Sequence, residues 1–285
     1  MQLQSKNRGV GTLSVILLMI TAFVFSGCQK VINVDLKNET PQLVIQGIIT
    51  DSIGPYKVSL TKTGSYFNQP KLPPVSHAKV VITDNTGTVD TLKERIPGLY
   101  YTSRIQGIPG RTYTLVVVSE NKRYTAVTTM HNHVLIDSLK LEKNNSQGFG
   151  FGGGGRKNDR VDIHCIFNDP MEKNFYRIKV TTNDTINTLN YRLYDDQYTN
   201  GEATDLQVAR ARVGDVSRIE LISLDSSTYE YYRTLRDLLR SNPIFGSTPA
   251  NPNTNLTNGA LGYFGAYASS SKFIVITESL YNSAK

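Results

Sequence analysis

Apolar and polar side chains alternate with a period of two over most of the chain beyond residue 40. Tyr56, Val58 and Leu60, for example, alternate with Lys57 and Ser59. Successive side chains of a β-strand point to opposite faces of its sheet, so this alternation predicts strands that are buried on one face. Groups of turn-forming residues interrupt the pattern at 51–55, 84–87 and 109–110. Short strands separated by such turns predict a β-sandwich over residues 41–130.

A second region with strand periodicity covers residues 134–279. Within it, Val161, Ile163, Cys165 and Phe167 occupy alternate positions, which predicts a strand whose apolar face is buried. A closing strand or strand pair is expected at 260–267 and 273–276. We therefore predict an all-β chain, in which the first sandwich is followed by a second antiparallel β domain.

One segment of this second domain has the period of an α-helix. Residues 227–230 read Ser-Thr-Tyr-Glu, a capping box, and predict a helix over about residues 228–240. Its apolar stripe consists of Tyr231, Tyr232, Leu235, Leu238 and Leu239. Its polar face carries Arg233, Arg236 and Arg240. We interpret these arginines as a solvated face, and contact with a phosphate group or a membrane surface is the alternative.

A glycine-rich loop at residues 148–155 interrupts the second domain. A phosphate-binding loop would continue with a lysine followed by Ser or Thr at the start of a helix. Here Arg156 and Lys157 are followed by Asn158, and no helical pattern begins. The loop is therefore interpreted as a surface hairpin, in which Phe149 and Phe151 are exposed aromatic residues that a partner or a membrane could contact.

The first 27 residues have the parts of a lipoprotein export signal. Lys6 and Arg8 make the start positive, and an apolar run of 14 residues ends at Phe25, too short to span a bilayer. Small residues then precede Cys28. We predict a signal peptide at 1–27, acylation of Cys28 and a lipidated tether at 28–40, so that the acyl chains attach the protein to a membrane. An ordinary signal peptide with a chance cysteine and an uncleaved anchor are the alternatives, because Phe25 stands where lipoprotein signals usually have Leu.

Composition narrows the class of protein further. The chain has 285 residues, of which 39% are hydrophobic and 19% charged, so it can bury a core and is not disordered. Without Lys6 and Arg8 it carries 29 basic and 24 acidic side chains, a net charge of +5 that is spread along the chain. Nucleic acid is therefore not an expected partner. No apolar run after residue 27 is long enough to predict a membrane-spanning helix.

The second cysteine is interpreted as a core residue. If Cys28 is acylated, Cys165 has no partner for a disulfide, and its place on an apolar strand face favours a small buried hydrophobe over a reactive thiol. His164 points to the opposite face of the same strand. A catalytic Cys–His pair is therefore not expected.

The sequence supplies no catalytic constellation and no complete metal site. His131 and His133 could lie on one side of a strand, but no third ligand has suitable spacing. Residues 194–202 are rich in oxygen ligands without matching a calcium loop, and a hairpin with an Asn-Gly turn explains them equally well. No Gly-x-Ser-x-Gly elbow occurs. We therefore expect no enzyme activity, no cofactor and no metal.

Several stretches resemble known families of exported bacterial proteins. The strands and turns of residues 78–115 resemble immunoglobulin-like or prealbumin-like modules. Nearly the whole mature chain resembles a family of Bacteroidota lipoproteins, domain of unknown function 4249. The stretches that carry this resemblance are Cys28 with its tether, 43–51, 54–60, 167–170, 174–177, 229–232 and 255–266.

That resemblance implies an outer-membrane lipoprotein that works beside a TonB-dependent transporter. It implies no established activity and no catalytic residue. Surface-exposed lipoproteins of this phylum often carry acids soon after the cysteine, whereas here none precedes Asp35. The face of the outer membrane, periplasmic or cell-surface, is therefore left open.

Four short segments resemble the O-glycosylation acceptor pattern of exported Bacteroidota proteins. Each has Asp, then Ser or Thr, then an apolar residue, and they lie at 51–53, 90–92, 137–139 and 184–186. Transitions from turn to strand favour the same order of residues. Modification is therefore a hypothesis.

These features lead to one expected function with two alternatives. We expect a non-enzymatic lipoprotein of the outer membrane that acts as an accessory or ligand-binding partner of a TonB-dependent transporter. The first alternative is a lipid-anchored module that binds a glycan or another polymer, and a clustered face formed by some of the 16 tyrosines would favour it. The second is an exported hydrolase, which two carboxylates converging in a deep pocket would favour.

Overall fold

A computed structural model describes residues 40–64, 72–143, 160–186, 192–197, 199–240 and 251–284. The predicted signal peptide, Cys28, the tether up to residue 39 and the glycine-rich loop with Phe149 and Phe151 lie outside these ranges. The described residues are mostly β-strand, which confirms the all-β prediction. Among them, no helix is long and apolar enough to cross a membrane.

The elements follow the sequence pattern closely. The strands are β1 (Leu43–Thr50), β2 (Lys57–Lys62), β3 (Lys79–Asp84), β4 (Val89–Thr91), β5 (Lys93–Ile96), β6 (Leu99–Tyr101), β7 (Thr112–Ser119), β8 (Lys122–Thr129), β9 (Ser138–Lys143), β10 (Arg160–Asn168), β11 (Phe175–Thr182), β12 (Thr185–Ile186), β13 (Arg192–Asp195), β14 (Ala203–Arg212), β15 (Val216–Leu224) and β16 (Leu261–Val275). The helices are α1 (Ser226–Arg240) and α2 (Glu278–Ser283).

The strands form one large sheet and two small ones. The large sheet has the order β12-β11-β15-β16-β1-β2-β6-β5, and β13 also pairs with β11. The small sheets have the orders β14-β10-β9 and β4-β3-β7-β8. Neighbouring strands are antiparallel except β1 and β16, which are parallel.

Strand β16 joins the two halves of the large sheet. Its first part pairs with β1, from Leu261 opposite Val44 to Tyr267 opposite Thr50, and its second part pairs with β15. The sequence predicted a strand or a pair of strands here, with a gap at residues 268–272. The gap is closed because Ala268 to Lys272 pair with β15, so the segment is one continuous strand of 15 residues.

Each half of the large sheet shares an apolar core with one small sheet. The first core contains buried residues of 43–130 together with five residues between Leu256 and Ala268. The second core draws its buried residues from 134–284. The predicted boundary between 41–130 and 134–279 separates these cores, except that five residues between Leu256 and Ala268 belong to the first core. Strand β16 nevertheless places both regions in one sheet, and the chain from Thr40 onward is a single compact unit.

The long helix begins earlier than the sequence predicted, and a different residue caps it. The carboxylate of Asp225 accepts hydrogen bonds from the backbone N–H of Thr228 (2.7 Å) and the hydroxyl of Ser227 (3.1 Å). Asp225 is therefore the N-cap, and α1 starts at Ser226. The predicted capping box is wrong because Thr228 is turned into the protein, with 1% exposure, and Glu230 binds Arg233.

The helices differ from the prediction in two further ways. Tyr231 and Tyr232 are buried as the apolar stripe predicts, whereas Leu239 is 55% exposed. The short helix α2 was not predicted. Thr277 caps it by accepting a hydrogen bond from the N–H of Leu280.

Candidate functional site

The face of the large sheet opposite the cores carries α1 and a pocket. Phe264 lies in the first core, whereas its neighbour Tyr263 belongs to a separate apolar cluster with Tyr231 and Tyr232 of α1. This follows from strand alternation, because successive residues of β16 point to opposite faces. Both faces of β16 are therefore covered at this point.

A pocket of about 540 Å³ opens between α1 and this face of the sheet. That volume lies within the range of small-molecule sites. The strands contribute Gln46, Gly47 and Ile48 of β1, Lys57 and Ser59 of β2, Arg177 of β11 and Tyr263 of β16, and the helix contributes Tyr231, Tyr232 and Leu235. The strand register brings three of these together, since Gln46 stands opposite both Tyr263 and Ser59.

The three tyrosines of the pocket pack on one another. Tyr231 stacks on Tyr263 with ring centres 4.3 Å apart, and the hydroxyls of Tyr232 and Tyr263 are hydrogen-bonded. Tyr231 also meets Tyr232 edge to face at 5.6 Å. The exposed fractions are 6% or less. The rings therefore fix α1 against β16 and form a firm wall of the pocket.

In the part of the chain that the structure describes, the charged groups that line the pocket are both cationic. The guanidinium of Arg177 lies over the ring of Tyr232, 4.5 Å from its centre, and Lys57 lies on β2. The ten lining residues include no carboxylate, thiol or imidazole. Glu220, which acts on the neighbouring Tyr267, is paired with Lys179 (3.3 Å).

The phenols of this region remain neutral in ordinary conditions. Burial raises the pKa of Tyr263 well above its usual value, and the neighbouring Tyr232 raises it further. Burial also raises the pKa of Tyr267, with additional contributions from Tyr232 and Glu220 that outweigh the lowering by Arg177. The tyrosines therefore supply O–H groups and add no negative charge to the positive pocket.

A second cluster lies on the outer face of the three-stranded sheet. Glu142, His164 and Asp205 each offer one atom that could ligate a metal, and these three atoms lie within 4.8 Å of one another. The Nδ1 of His164 is 2.6 Å from Asp205, and its Nε2 is 3.4 Å from Glu142, which Lys140 also binds at 2.7 Å. The two ring nitrogens thus face different carboxylates, which is the arrangement of a surface ion network. The sequence did not reveal this group because three separate strands supply it.

The two histidines for which the sequence offered no third ligand are not brought into such a cluster. Within the described ranges, His131 and His133 belong to no group of three metal-ligating side chains. His133 is exposed, and His131 is partly buried.

Cys165 is a buried core residue, as its place in the strand predicted. It is fully buried in the second core, and His164 lies on the opposite, outer face of β10. Burial raises the pKa of the Cys165 thiol to about 12. The thiol is therefore protonated at neutral pH and unsuited to nucleophilic chemistry.

In the acidic segment at residues 194–202, the described residues 197 and 199–201 form turns. Asp196 is 1% exposed and accepts a hydrogen bond from the backbone N–H of Asn174 (2.6 Å), and Asp195 accepts one from the hydroxyl of Tyr229 (3.2 Å). Gly201 has a φ of +79°. These contacts favour the hairpin interpretation over a calcium loop, because both carboxylates already serve the fold.

Arg233 and Arg236, on the polar face of α1, are engaged in ion pairs. Arg233 binds both Glu230 (2.6 Å) and Asp237 (3.2 Å), and Arg236 also binds Asp237 (3.2 Å). This supports the interpretation of a solvated, paired face.

The four hydroxyl residues of the predicted glycosylation segments are all exposed. They are Ser52, Thr91, Ser138 and Thr185. The carboxylate beside Thr91 is committed to the fold, since Asp90 accepts hydrogen bonds from the backbone N–H groups of residues 103–105. Modification of these segments stays a prediction.

The pocket itself was not predicted from the sequence. Strand alternation places Arg177 and Tyr263 on an outer face, but nothing local indicates that they meet. A signal was nevertheless present. Of the ten lining residues, nine lie in the stretches that carry the family resemblance, and Leu235 is the exception.

Fold and site together define an all-β protein with two sandwich cores joined by one strand and a tyrosine-lined pocket under its long helix. The chain belongs to the family of domain of unknown function DUF4249, whose model matches residues 29–273. A comparison with curated proteins returned no match. Among solved structures, the chicken interferon gamma receptor alpha chain is similar at 6% identity and a TM-score of 0.19, over 65% of this chain and 89% of that chain. A likeness at this TM-score carries no argument about fold or function.

Proposed function

We propose that this protein is a non-enzymatic, lipid-anchored binding protein of the outer membrane, and that the pocket under α1 is its ligand site. The observation that carries the proposal is the pocket itself. It has the volume of a small-molecule site and a firm aromatic wall, with polar groups placed around it. Its described lining offers hydrogen-bond donors beside a packed aromatic wall, which are features of a binding site, and lacks the acid and base pairs used for hydrolysis.

The lining of the pocket lies largely within the stretches by which the chain resembles its family, which supply nine of the ten lining residues. The same stretches also supply core residues, among them Ile45, Phe167 and Phe264, so they carry the scaffold as well as the pocket.

Anchoring is proposed from the N-terminal sequence. Acyl chains on Cys28 would hold the protein at the outer membrane, with residues 29–40 as the tether. A TonB-dependent transporter is the proposed partner, to which the protein would present its ligand or which it would support. The resemblance to outer-membrane lipoproteins is the reason for this choice of partner.

Purification from native membranes tests the proposed function. The tagged full-length protein would be isolated from outer membranes in mild detergent, and the proteins and small molecules that accompany it would be identified by mass spectrometry. We expect acyl chains on Cys28, a stoichiometric transporter and a bound small molecule. The Cys28→Ser variant is the control, and it should leave the membrane fraction. A protein that comes out alone and empty would contradict the proposal.

Glycan binding is the second candidate, and the tyrosine cluster is the observation that favours it. Sugars commonly stack on aromatic rings, and Tyr231, Tyr232 and Tyr263 are gathered at one place. These rings are largely covered by one another, so a sugar would have to use the pocket rather than an open aromatic face. Binding on a glycan array that is lost in Tyr231→Ala would favour this function over the first.

A further inference from the structure

We propose that the pocket binds an anionic small molecule, in which a carboxylate or phosphate group is joined to an apolar or aromatic portion. Arg177 and Lys57 would hold the anionic group, and the wall of Tyr231, Tyr232 and Tyr263 would contact the remainder. This inference rests on the proposed function and names the chemical class of its ligand.

The charge balance of the pocket is the first argument. Among the described residues, its lining contains two cations and no acid. Arg177 and Lys57 come from β11 and β2, which lie four places apart in the sheet order, so the cations approach the pocket from different sides. A ligand between them meets positive charge on both sides, and a cationic ligand would be repelled.

The position of the Arg177 guanidinium is the second argument. Its Cζ atom lies over the ring of Tyr232, 4.5 Å from the ring centre, and the Tyr232 hydroxyl is in turn tied to Tyr263. A guanidinium held in place by a ring contact loses less conformational freedom when it donates to a carboxylate or phosphate. Arg177 is only partly exposed, so its charge is screened less than that of a surface arginine.

The protonation of the neighbouring groups is the third argument. Burial keeps Tyr263 and Tyr267 neutral, so their phenols do not cancel the charge of Arg177. Glu220, which lies near Tyr267, is paired with Lys179 at 3.3 Å. These two phenols therefore add no negative charge beside the pocket.

Matched probes separate charge from shape. The full-length protein in a neutral detergent would be titrated by calorimetry with phenyl phosphate, with phenyl β-glucoside and with inorganic phosphate. The first two share the aromatic ring and differ in charge, and the third lacks the ring. We expect phenyl phosphate to bind about tenfold or more tightly than either of the others.

Variants assign the binding to the two cations. Arg177→Gln and Lys57→Gln should each weaken phenyl phosphate binding, by about tenfold for Arg177→Gln, because hydrogen bonds between charged groups are lost. Arg177→Lys keeps the charge without the paired donors and should fall between. Arg218→Gln is the matched control, since Arg218 also lies over a ring, that of Phe273, at 5.5 Å on the same sheet. It should leave binding unchanged. Lys57 is exposed, so its variant tests the inference even if Arg177→Gln fails to fold.

The outcomes distinguish this inference from the function on which it rests. Equal or tighter binding of phenyl β-glucoside, unaffected by Arg177→Gln, would overturn the anionic class and leave the pocket as a ligand site. If Arg218→Gln weakened phenyl phosphate binding equally, the effect would be one of general surface charge, and the inference would be overturned. No binding of any probe would overturn the pocket site as well. Dihexanoyl phosphatidic acid binding more tightly than phenyl phosphate would assign the anion to a lipid headgroup, and the reverse order to a soluble molecule, and both orders support the inference.

Discussion

Gly262 occupies a position on β16 where a side chain has no room. Its φ is +92°, and a Cβ placed there would stand 2.1 Å from the carbonyl oxygen of Ile45 on the parallel strand β1. A glycine is needed for both reasons, the left-handed backbone and the close approach of the neighbouring strand. This residue precedes Tyr263, so it also sets the position of the pocket wall.

We predict that Gly262→Ala destabilises the protein by more than the cost of placing an alanine in a left-handed backbone conformation. Gly214→Ala is the control, because Gly214 has nearly the same φ, +93°, with no atom within 4 Å of its Cβ position. The control should cost about 1–2 kcal/mol of unfolding free energy, and Gly262→Ala at least about 2 kcal/mol more. Urea unfolding measures both. Equal losses would show that the approach of β1 is not a constraint.

Asp84 is a buried carboxylate that the fold keeps ionised. Burial by itself raises its pKa, but hydrogen bonds from Thr86 and Thr88 and the ion pair with Arg111 outweigh that effect and lower the pKa to about 2 from 3.8. Arg111 is 2.7 Å from the carboxylate. Because the pKa is lower in the folded state, the stabilisation is complete above about pH 4 and is lost as the pH falls through about 2.

We predict that Asp84→Asn lowers stability at pH 6 and has a smaller effect in acid. The pKa difference corresponds to about 2 kcal/mol of unfolding free energy. The gap between wild type and variant should therefore narrow by about 2 kcal/mol between pH 4 and a pH below 2. Urea unfolding across this range measures it. A gap that stays constant with pH would contradict the lowered pKa.

Helix α1 is tied to two strands through its N-cap. Besides Ser227 and Thr228, the carboxylate of Asp225 accepts hydrogen bonds from the Thr128 hydroxyl (2.6 Å) and the Thr129 N–H (3.1 Å) of β8. The Thr128 oxygen in turn accepts from the N–H of Ala266 on β16 (3.0 Å). One carboxylate thus connects the start of the helix, the four-stranded sheet and the central strand.

We predict that Asp225→Ala is more destabilising than the loss of an ordinary cap. A cap contributes about 1 kcal/mol, and the buried donors left without an acceptor add about 1–3 kcal/mol, so the total is about 2–4 kcal/mol. Asp237→Ala on the exposed side of the same helix should change stability by less than about 1 kcal/mol, since surface ion pairs contribute little. Thermal unfolding of both variants makes the comparison. Similar losses in the two would contradict the network.

At the scale of the molecule, β16 links the two cores. Its side chains contribute to the first core, and its later part pairs with β15 of the second. Residues Phe264, Ala266 and Ala268 belong to the first core, while the later part of the strand pairs with β15. Loss of either core would leave part of this strand without its partners. The two cores should therefore unfold together.

We predict a single unfolding transition for the described unit. Leu115→Ala in the first core and Ile163→Ala in the second should each lower the free energy of unfolding by about 2–5 kcal/mol and move the entire transition. Scanning calorimetry together with circular dichroism tests this. Two separate transitions, each moved by only one of the variants, would show that the regions 41–130 and 134–279 are independent domains.

Local pattern was sufficient for much of the fold. Alternation placed Cys165 in the core and His164 outside, because a strand has only two faces and the apolar one must be buried. The helical period of the apolar residues placed Tyr231 and Tyr232 on the buried side of a helix. It failed at the helix start, where residues 227–230 satisfy the capping rule locally. The contact between Asp225 and Thr128 is distant in sequence and decides the position of the cap.

The sequence by itself determined the class of fold, the period and face of most strands and the existence of α1, because each depends on residues close together in the chain. Acylation of Cys28 stays a prediction. Only the tertiary structure decided the pocket. Gln46 meets Tyr263 through the parallel pairing of β1 with β16, and Arg177 reaches Tyr232 only after α1 folds back over the sheet. Pairing between distant strands is selected by the packing of whole cores, and no local pattern of residues specifies it.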